Sequence, residues 1–243
     1  MEKNATKDPA EFPVRINKYL ALQGYDTRRG ADALIRAGIV LVNGTAAVPG
    51  QWVQEGDQVQ VVRRAPPRYA YFAYHKPLGI ITHSPQEGER GIKEVTKGAG
   101  MPPDVFPLGR LDKNSHGLII MTNDGRVTDR LLNPDRAHEK EYVVRTRNRI
   151  RPSFKRAMES GVDIEGYVTR PCKVTVTGEQ EFRICLTEGK KHQIRRMVVA
   201  LHDDVTLLKR TRIMNVTLGG LAPGAARPIA GPELKEFLAS LGL

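Results

Sequence analysis

The segment Phe106–Gly125, FPLGRLDKNSHGLIIMTNDG, joins two apolar runs through a polar loop that contains a carboxylate. The first run ends in Gly109-Arg110-Leu111-Asp112, and the loop KNSHG follows it. The second run ends at the turn signal Asn123-Asp124-Gly125. Asp112 is therefore predicted to lie at the mouth of a loop between two buried stretches.

A carboxylate in this position is costly unless it is paired or solvated. One interpretation is that Asp112 caps the turn by accepting hydrogen bonds from backbone amides near Asn114 or Ser115. The other is that it has a chemical role. Arg110 is a candidate either for an ion pair with Asp112 or for a contact with phosphate.

A second segment, His138–Arg147 (HEKEYVVRTR), contains a predicted strand at Tyr142–Arg147. Alternation places Tyr142, Val144 and Thr146 on one face and the arginines at 145 and 147 on the other. A tyrosine at the head of such a strand is usually part of the core, so spacing alone gives it no function.

The third segment is Thr187–Leu201, TEGKKHQIRRMVVAL. A strand ends at Glu188-Gly189, and a helix with an apolar stripe follows. Four cations cluster at the start of this helix: Lys190, Lys191, Arg195 and Arg196. Cations at a helix N-terminus oppose the helix dipole. We therefore expect a compensating group outside the helix, either a phosphate or a buried carboxylate.

Strands and helices alternate irregularly around these segments, which predicts an α+β fold. Further strand candidates are Tyr71–His75, Leu118–Thr122, Cys172–Val176, Phe182–Thr187 and Met214–Leu218. Helix candidates are Val127–Leu132, Pro152–Ser160, His192–Leu201 and Pro232–Leu241.

The amino-terminal region has a different pattern. Residues 13–63 predict two short helices, the second capped by Thr27, and then a small hairpin with the turn Asn43-Gly44. Residues 1–12 are polar and predict a disordered tail. The RAPPR run at 64–68 predicts a linker, since two prolines fit neither a helix nor a central strand. Residues 69–243 then form a second domain.

Composition excludes several classes. No apolar run is long enough to span a membrane, and the first residues lack the apolar stretch of a signal peptide. Two cysteines without a CxxC motif favour a reducing cytoplasm over a disulfide framework or a zinc site. Motifs for nucleotide, metal or serine-nucleophile chemistry are absent from the sequence. The formal net charge of +11 makes nucleic acid the default partner.

Two resemblances account for these features together. RINKYLA, AGIVLVNG and EGDQVQV resemble an S4-type RNA-binding domain. GRLDKNSHGL, KEYVV and EGKKHQIRRM, in this order, resemble the three signatures of RNA pseudouridine synthases, and HKPLGIITH resembles their opening strand. The matching branch joins both domains and modifies ribosomal RNA. RTRIMNV and the HEKEY run are most similar to members that act on the large subunit.

The resemblance implies a small S4-type domain followed by a catalytic domain with a mixed, mostly antiparallel sheet and flanking helices. It implies isomerisation of uridine to pseudouridine without cofactor or metal. Asp112 would be the essential carboxylate, Arg195 would pair with it, and Tyr142 would stack on the base. Further substrate or RNA contacts in the catalytic domain would come from Gly109, Arg110, Leu111, Lys191, His192, Gln193, Ile194 and Arg196. In the S4-type domain they would come from Arg15, Lys18, Arg28, Arg29 and Arg36.

The implied partner is RNA, with 23S rRNA as the first candidate and tRNA as the second, and the protein is expected to be a cytoplasmic monomer. The competing hypothesis is a non-catalytic RNA-binding or ribosome-assembly protein on the same scaffold. The presence of Asp112, Tyr142 and Arg195 together favours the enzyme.

Overall fold

The computed structural model describes residues 12–62 and 69–243. The predicted linker and the predicted tail, apart from Phe12, lie outside the described residues. Contacts between residues divide the chain into two compact units. The first contains the residues up to Ala70 together with Thr122–Asp129, and the second contains Tyr71–Met121 and Arg130–Leu243. The division is thus not a single cut of the sequence.

The amino-terminal region folds into two helices and five short strands. These are β1 Val14–Arg15, α1 Ile16–Leu22, α2 Arg28–Arg36, β2 Val40–Val42, β3 Thr45–Ala46, β4 Trp52–Val53 and β5 Val59–Val61. Strands β3, β2 and β5 form one sheet, and β1 pairs with β4. The predicted cap is confirmed, because the Gly30 N–H donates to the hydroxyl of Thr27 at 3.0 Å. Asn43 and Gly44 adopt positive φ angles and form the predicted turn between β2 and β3.

The remaining elements form the larger part of the chain. They are β6 Tyr71–Lys76, α3 Ile92–Val95, β7 Phe106–Leu108, β8 His116–Thr122, α4 Arg126–Leu132, a 3₁₀ turn at Pro134–Arg136, β9 Lys140–Thr146, α5 Phe154–Glu159, β10 Lys173–Gly178, β11 Glu181–Leu186, α6 Gln193–Ala200, β12 Val205–Ile213, β13 Val216–Thr217, β14 Ala226–Pro228 and α7 Gly231–Ser240.

One sheet organises these elements, with the strand order β10-β11-β9-β12-β8-β6-β14. Strands β7 and β13 pair with β8 and β12 respectively. The β12–β8 pair is parallel, whereas β10–β11, β11–β9, β9–β12 and β14–β6 are antiparallel. The predicted α+β class with a mixed, mostly antiparallel sheet is confirmed.

The hydrophobic core beside this sheet combines side chains from several elements. Val144 of β9, Phe182 and Ile184 of β11, and Ile194 and Met197 of α6 are all buried in one cluster. The apolar stripe predicted for α6 therefore packs on the strands, which leaves the first turn of this helix beside the loop before β8. Across the described residues, no helix is long and apolar enough to cross a membrane.

The strand predicted at Met214–Leu218 is shorter than predicted, because only β13, Val216–Thr217, forms within this range. Met214 has a positive φ and lies in a turn, and only two residues after it are extended. The long strand is instead β12, nine residues that pair with both β9 and β8. Its sequence VTLLKRTRI carries three cations, which are uncommon in a central strand because charged side chains are costly to bury.

Gly117 allows β8 and β12 to approach each other closely. It has φ +111°, and a Cβ at this position would lie 2.3 Å from the carbonyl oxygen of Arg210. Only glycine fits both the backbone conformation and the space. The glycine of the KNSHG loop therefore fixes where β8 begins relative to β12.

Candidate active site

Asp112 lies in the loop between β7 and β8, as predicted. Its carbonyl accepts a hydrogen bond from the Ser115 N–H at 3.0 Å, so the main chain closes the turn. Among the described residues, no donor forms a hydrogen bond with the carboxylate, and the side chain is 41% exposed. The interpretation of Asp112 as a side-chain cap is therefore wrong. Its carboxylate remains available to a ligand.

His192, which precedes the first residue of α6, lies next to this carboxylate. Its Nε2 lies 3.6 Å from Oδ1 of Asp112. The residue caps α6 in the left-handed conformation, with φ 51° and ψ 29°. This backbone conformation is uncommon outside glycine and asparagine, and such residues are often functional. It directs the imidazole toward the loop of Asp112.

Arg195 does not form the predicted ion pair with Asp112. Its Nη2 instead donates to the carbonyl of Asn114 at 2.6 Å, and its Nη1 donates to the carbonyl of Val205 at 3.1 Å. The guanidinium therefore joins α6 and the start of β12 to the turn that carries Asp112. The reason is local geometry, because His192, rather than Arg195, occupies the side of the helix terminus that faces the carboxylate.

Glu188 supplies the buried carboxylate that the cationic helix terminus requires. It is buried and accepts hydrogen bonds from the Tyr167 hydroxyl at 2.6 Å, the Arg170 N–H at 3.0 Å and Nε2 of Gln193 at 2.6 Å. The amide oxygen of Gln193 also accepts from the Lys190 N–H. Gln193 was predicted to contact RNA, but it is buried and both ends of its amide are bonded within the protein. It is a structural residue of this turn.

Tyr142 lies on β9 at the centre of the sheet. It is half-buried and packs against the same core cluster as Ile194. In the sheet it is the register partner of Arg210 on β12, which is in turn the partner of Gly117 on β8. Two strand spacings, about 10 Å, separate the backbones of Tyr142 and Gly117. The sheet thus holds the tyrosine two strands from the start of β8.

Thr82 fixes the residue that precedes Asp112. Its hydroxyl donates to the carbonyl of Leu111 at 2.8 Å and accepts from the N–H of the same residue at 3.2 Å. Both side chains are buried. A second contact reinforces this arrangement, because the Gly79 N–H donates to the carbonyl of Lys113 at 2.9 Å. The loop after β6 therefore supports the backbone on both sides of Asp112.

Lys76 is a fully buried cation at the end of β6. Its ammonium group donates to the carbonyls of Pro77 at 2.9 Å and Ile80 at 2.7 Å. Burial lowers the pKa of Lys76 to about 8, and the charge of Asp112 partly opposes this decrease. The ammonium group is thus close enough to Asp112 to interact with its charge.

Arg210 is a second buried cation below the Asp112 loop. Its Nε donates to the carbonyl of Leu118 at 2.7 Å and its Nη1 to the carbonyl of Arg110 at 3.3 Å. Its positive charge also contributes to the lowered pKa of Lys76. Sequence reasoning missed Thr82, Lys76, Arg210 and Glu188 as site residues. For Lys76 and Thr82, the sequence offered one signal, since both are polar residues inside the otherwise apolar run HKPLGIITH.

The other predicted contacts of the catalytic domain differ in their surroundings. Arg110 and Lys191 are exposed, and Gly109 accepts a hydrogen bond from His83 at 3.3 Å. Leu111 and Ile194 are buried beside the site. Arg196 donates to the carbonyl of Ile164 at 2.6 Å and to Glu165 at 2.8 Å, so its guanidinium is tied to another loop.

In the amino-terminal unit, the predicted RNA contacts are exposed. Lys18 lies on α1, and Arg28, Arg29 and Arg36 lie on α2. Arg15 differs from them because its guanidinium lies over the ring of Trp52, 4.1 Å from the centroid. Within residues 12–62 and 69–243, no group of three His, Cys, Asp or Glu side chains is placed to hold a metal ion.

Comparison with known proteins identifies the family. The family model described as RNA pseudouridylate synthase matches residues 70–200, and the S4 domain model matches residues 14–59. The chain belongs to the RNA pseudouridine synthases. Members of this family are isomerases. The predicted resemblance and the order of the two domains are confirmed.

Individual relatives cover nearly the whole chain. It is 41% identical over 229 residues to the dual-specificity RNA pseudouridine synthase RluF of Escherichia coli K12 and to that of Salmonella typhi, covering 92% of this chain and 78% of each relative. It is 32% identical to the ribosomal large subunit pseudouridine synthase B of Bacillus subtilis over 93% of this chain and 96% of the relative. A crystal structure of a pseudouridylate synthase has the same fold, with a TM-score of 0.68 and 24% identity over 94% of this chain and 99% of that one.

The contact between Thr82 and Leu111 predicts a catalytic defect. Thr82→Val removes the hydroxyl and leaves a buried N–H and a buried carbonyl without partners. Because small displacements of a catalytic group are costly, we expect kcat for this RNA pseudouridine synthase to fall about 10- to 100-fold. Thr82→Ser keeps the hydroxyl and should retain most of the activity. Full activity of Thr82→Val, or an equal loss in both variants, would contradict this prediction.

Burial of Lys76 predicts a pH-dependent contribution to stability. The pKa is about 8 in the folded protein and near 10.4 in an unfolded chain. Between these values the unfolded chain binds more protons, so the free energy of unfolding rises with pH. From pH 7.5 to 10, wild type should gain roughly 1–3 kcal/mol relative to Lys76→Met in denaturant unfolding. Lys155→Met changes an exposed lysine and is the control. A difference in free energy of unfolding between wild type and Lys76→Met that stays constant with pH would refute the prediction.

Proposed function

We propose that this RNA pseudouridine synthase isomerises a specific uridine of large-subunit 23S rRNA, with tRNA as a second candidate substrate. The names of the relatives support this target, since one is called dual-specificity and another is named for the large ribosomal subunit. The observation that carries the catalytic proposal is the position of Asp112. Its half-exposed carboxylate lies in a turn that Thr82 and Arg195 hold from two sides.

The proposed reaction needs no co-reactant. The bond from ribose C1′ to N1 of uracil breaks, a bond from C1′ to C5 forms, and the proton of C5 is released while N1 gains one. Atoms and electrons balance, so we propose that no cofactor takes part. The ionised Asp112 acts on the ribose or the base, or removes a proton to give a glycal, and all three routes require a carboxylate at this position.

The other residues have supporting roles in the proposal. Tyr142 stacks on the detached base and helps to move the proton from C5. Arg195 holds the turn of Asp112, while His192, Lys191 and Arg110 contact the RNA around the target nucleotide.

The base must leave its stack to reach Asp112, at a cost of a few kcal/mol. Binding of the RNA backbone by exposed cations offsets this cost. The cost of unstacking is lowest in RNA loops, so a loop is the expected target.

Domain boundaries, location and oligomeric state belong to the same proposal. We propose an S4-type domain at 13–63, a linker at 64–68 and a catalytic domain at 69–243 in a monomeric, cytoplasmic protein. Exposed cations at Arg28, Arg29 and Arg36 on α2 support RNA binding by the first domain. These residues are spaced along one short helix, so they are suited to follow a phosphate backbone.

Release of tritium from RNA labelled at C5 of uridine tests the function, because the reaction frees that proton. Purified protein should release tritium from 23S rRNA transcripts, with 16S rRNA and tRNA transcripts as comparisons. Release from tRNA alone would show that tRNA, and not 23S rRNA, is the substrate. Tight RNA binding without release from any transcript would favour the alternative, a non-catalytic protein of ribosome assembly.

A further inference from the structure

Trp52 is an aromatic residue that the core of its own domain does not use. It lies on β4, where Val53 points inward and is fully buried, while Trp52 points outward and is 48% exposed. The hydrophobic cluster of this unit contains residues from α1, α2, β2 and neighbouring segments, and Trp52 is not among them. An exposed indole forgoes the stabilisation that its burial would provide, so its position requires another explanation.

Arg15 holds the indole ring from one side. The two residues are register partners in the β1–β4 ladder, and the guanidinium carbon lies 4.1 Å from the ring centroid. Of the five N–H donors of Arg15, one contacts the carbonyl of Gly50 within the described residues. The arrangement thus presents an ordered aromatic surface with a positive charge and free donors beside it.

The neighbouring charges favour an anionic partner. Lys18 is also exposed and lies in the first turn of α1, three residues after Arg15 in the sequence. Single-stranded nucleic acids are bound by this combination, in which bases stack on aromatic rings and phosphates contact nearby cations. The net charge of +11 and the membership of an RNA-modifying family agree with this partner.

We propose that Trp52, with Arg15 and Lys18, is a stacking site for one unpaired base of the RNA. The site lies on the strand side of the S4-type domain and adds to the cations of α2. The inference rests on the proposed function only in taking RNA as the partner. The base stacks on the indole, and its flanking phosphates contact the guanidinium and the ammonium group.

The sequence contains a single tryptophan, so indole emission excited beyond the absorption band of tyrosine reports on this site alone. The probe is a labelled RNA hairpin with an all-uridine loop, titrated into the full-length protein, and a blunt RNA duplex is the comparison. We expect the hairpin to quench the indole emission with the same Kd that anisotropy of the label gives. The duplex, which has no unpaired base, should leave the emission nearly unchanged.

Variants separate stacking from simple burial. Trp52→Ala should weaken hairpin binding about 5- to 100-fold, the range for loss of one stacked base. Trp52→Leu should be equally weak, because it is apolar but not aromatic, and Trp52→Phe should retain most of the affinity. Val62→Ala is the matched control, since Val62 is another exposed apolar residue of this unit, and it should bind as wild type does.

The proposal would be overturned by emission that does not respond to bound hairpin, by wild-type affinity of Trp52→Leu, or by no hairpin binding at all. A change of emission with protein concentration alone, together with dimers in sedimentation, would assign the surface to a second copy and also overturn it. Tritium release from 23S rRNA is a separate measurement. If the protein releases no tritium but the fluorescence still responds to the hairpin, the proposed function is refuted and the proposed stacking site is retained.

Discussion

Asp112→Asn should reduce tritium release from 23S rRNA by at least roughly 1,000-fold, equivalent to about 4 kcal/mol of transition-state stabilisation. Asparagine has nearly the same shape, so the turn closed by Ser115 and the contact between Thr82 and Leu111 should persist. The variant loses only the ionised oxygen, which each of the proposed routes requires.

RNA affinity should change little in this variant. Asp112 contributes one negative charge next to a polyanion, so removing that charge cannot weaken the attraction to phosphate. We expect the Kd for RNA to stay within a few-fold of wild type in a filter-binding assay. Asp135→Asn is the matched control, because Asp135 is exposed in the 3₁₀ turn, and it should keep full activity. Activity of Asp112→Asn within tenfold of wild type would contradict the assignment of Asp112.

Arg195→Lys should have the second largest effect, with a fall in kcat of about 100-fold. The planar guanidinium reaches Asn114 and Val205 at the same time, and a lysine ammonium on a flexible stem cannot hold both carbonyls in this geometry. The turn of Asp112 would lose its link to α6 and to β12. Because the RNA-binding cations remain in place, KM should change by only a few-fold.

The split between kcat and KM is the decisive readout for Arg195. Arg149→Lys is the control, since Arg149 pairs with Glu179 at 2.9 Å on the exposed surface, far in sequence from the site loops. It should leave both constants unchanged. A defect of Arg195→Lys that appears entirely in KM would make Arg195 an RNA contact instead of a support for the Asp112 turn.

The sequence predicted the elements that follow simple periodicity. The apolar stripe of α6 was confirmed, because its buried side chains pack on the sheet. In β9 the predicted alternation was confirmed from Val144 to Thr146, where Arg145 is exposed between two buried residues. β12 was missed, because Lys209 and Arg210 fall in the middle of the strand and read as surface residues. Arg210 is buried only because backbone carbonyls of Leu118 and Arg110 accept its donors, and these partners lie about a hundred residues away.

The sequence proposed the main residues of the candidate site, but it did not indicate the residues that support them. Asp112, Arg195 and Tyr142 lie in segments with recognisable motifs. Thr82 lies 29 residues before Leu111, and nothing in the local pattern connects them. The prediction of an ion pair between Arg195 and Asp112 was wrong. Helical spacing does not reveal that His192 adopts a left-handed conformation and lies next to the carboxylate in place of Arg195.

Mapping of pseudouridine in total RNA tests the central claim most directly. Three strains are compared: one with the intact gene, one without it, and one that carries Asp112→Asn at the same expression level. We predict a modified uridine in 23S rRNA that is present only in the first strain, with any tRNA site following the same pattern. Identical pseudouridine maps in all three strains would contradict the account.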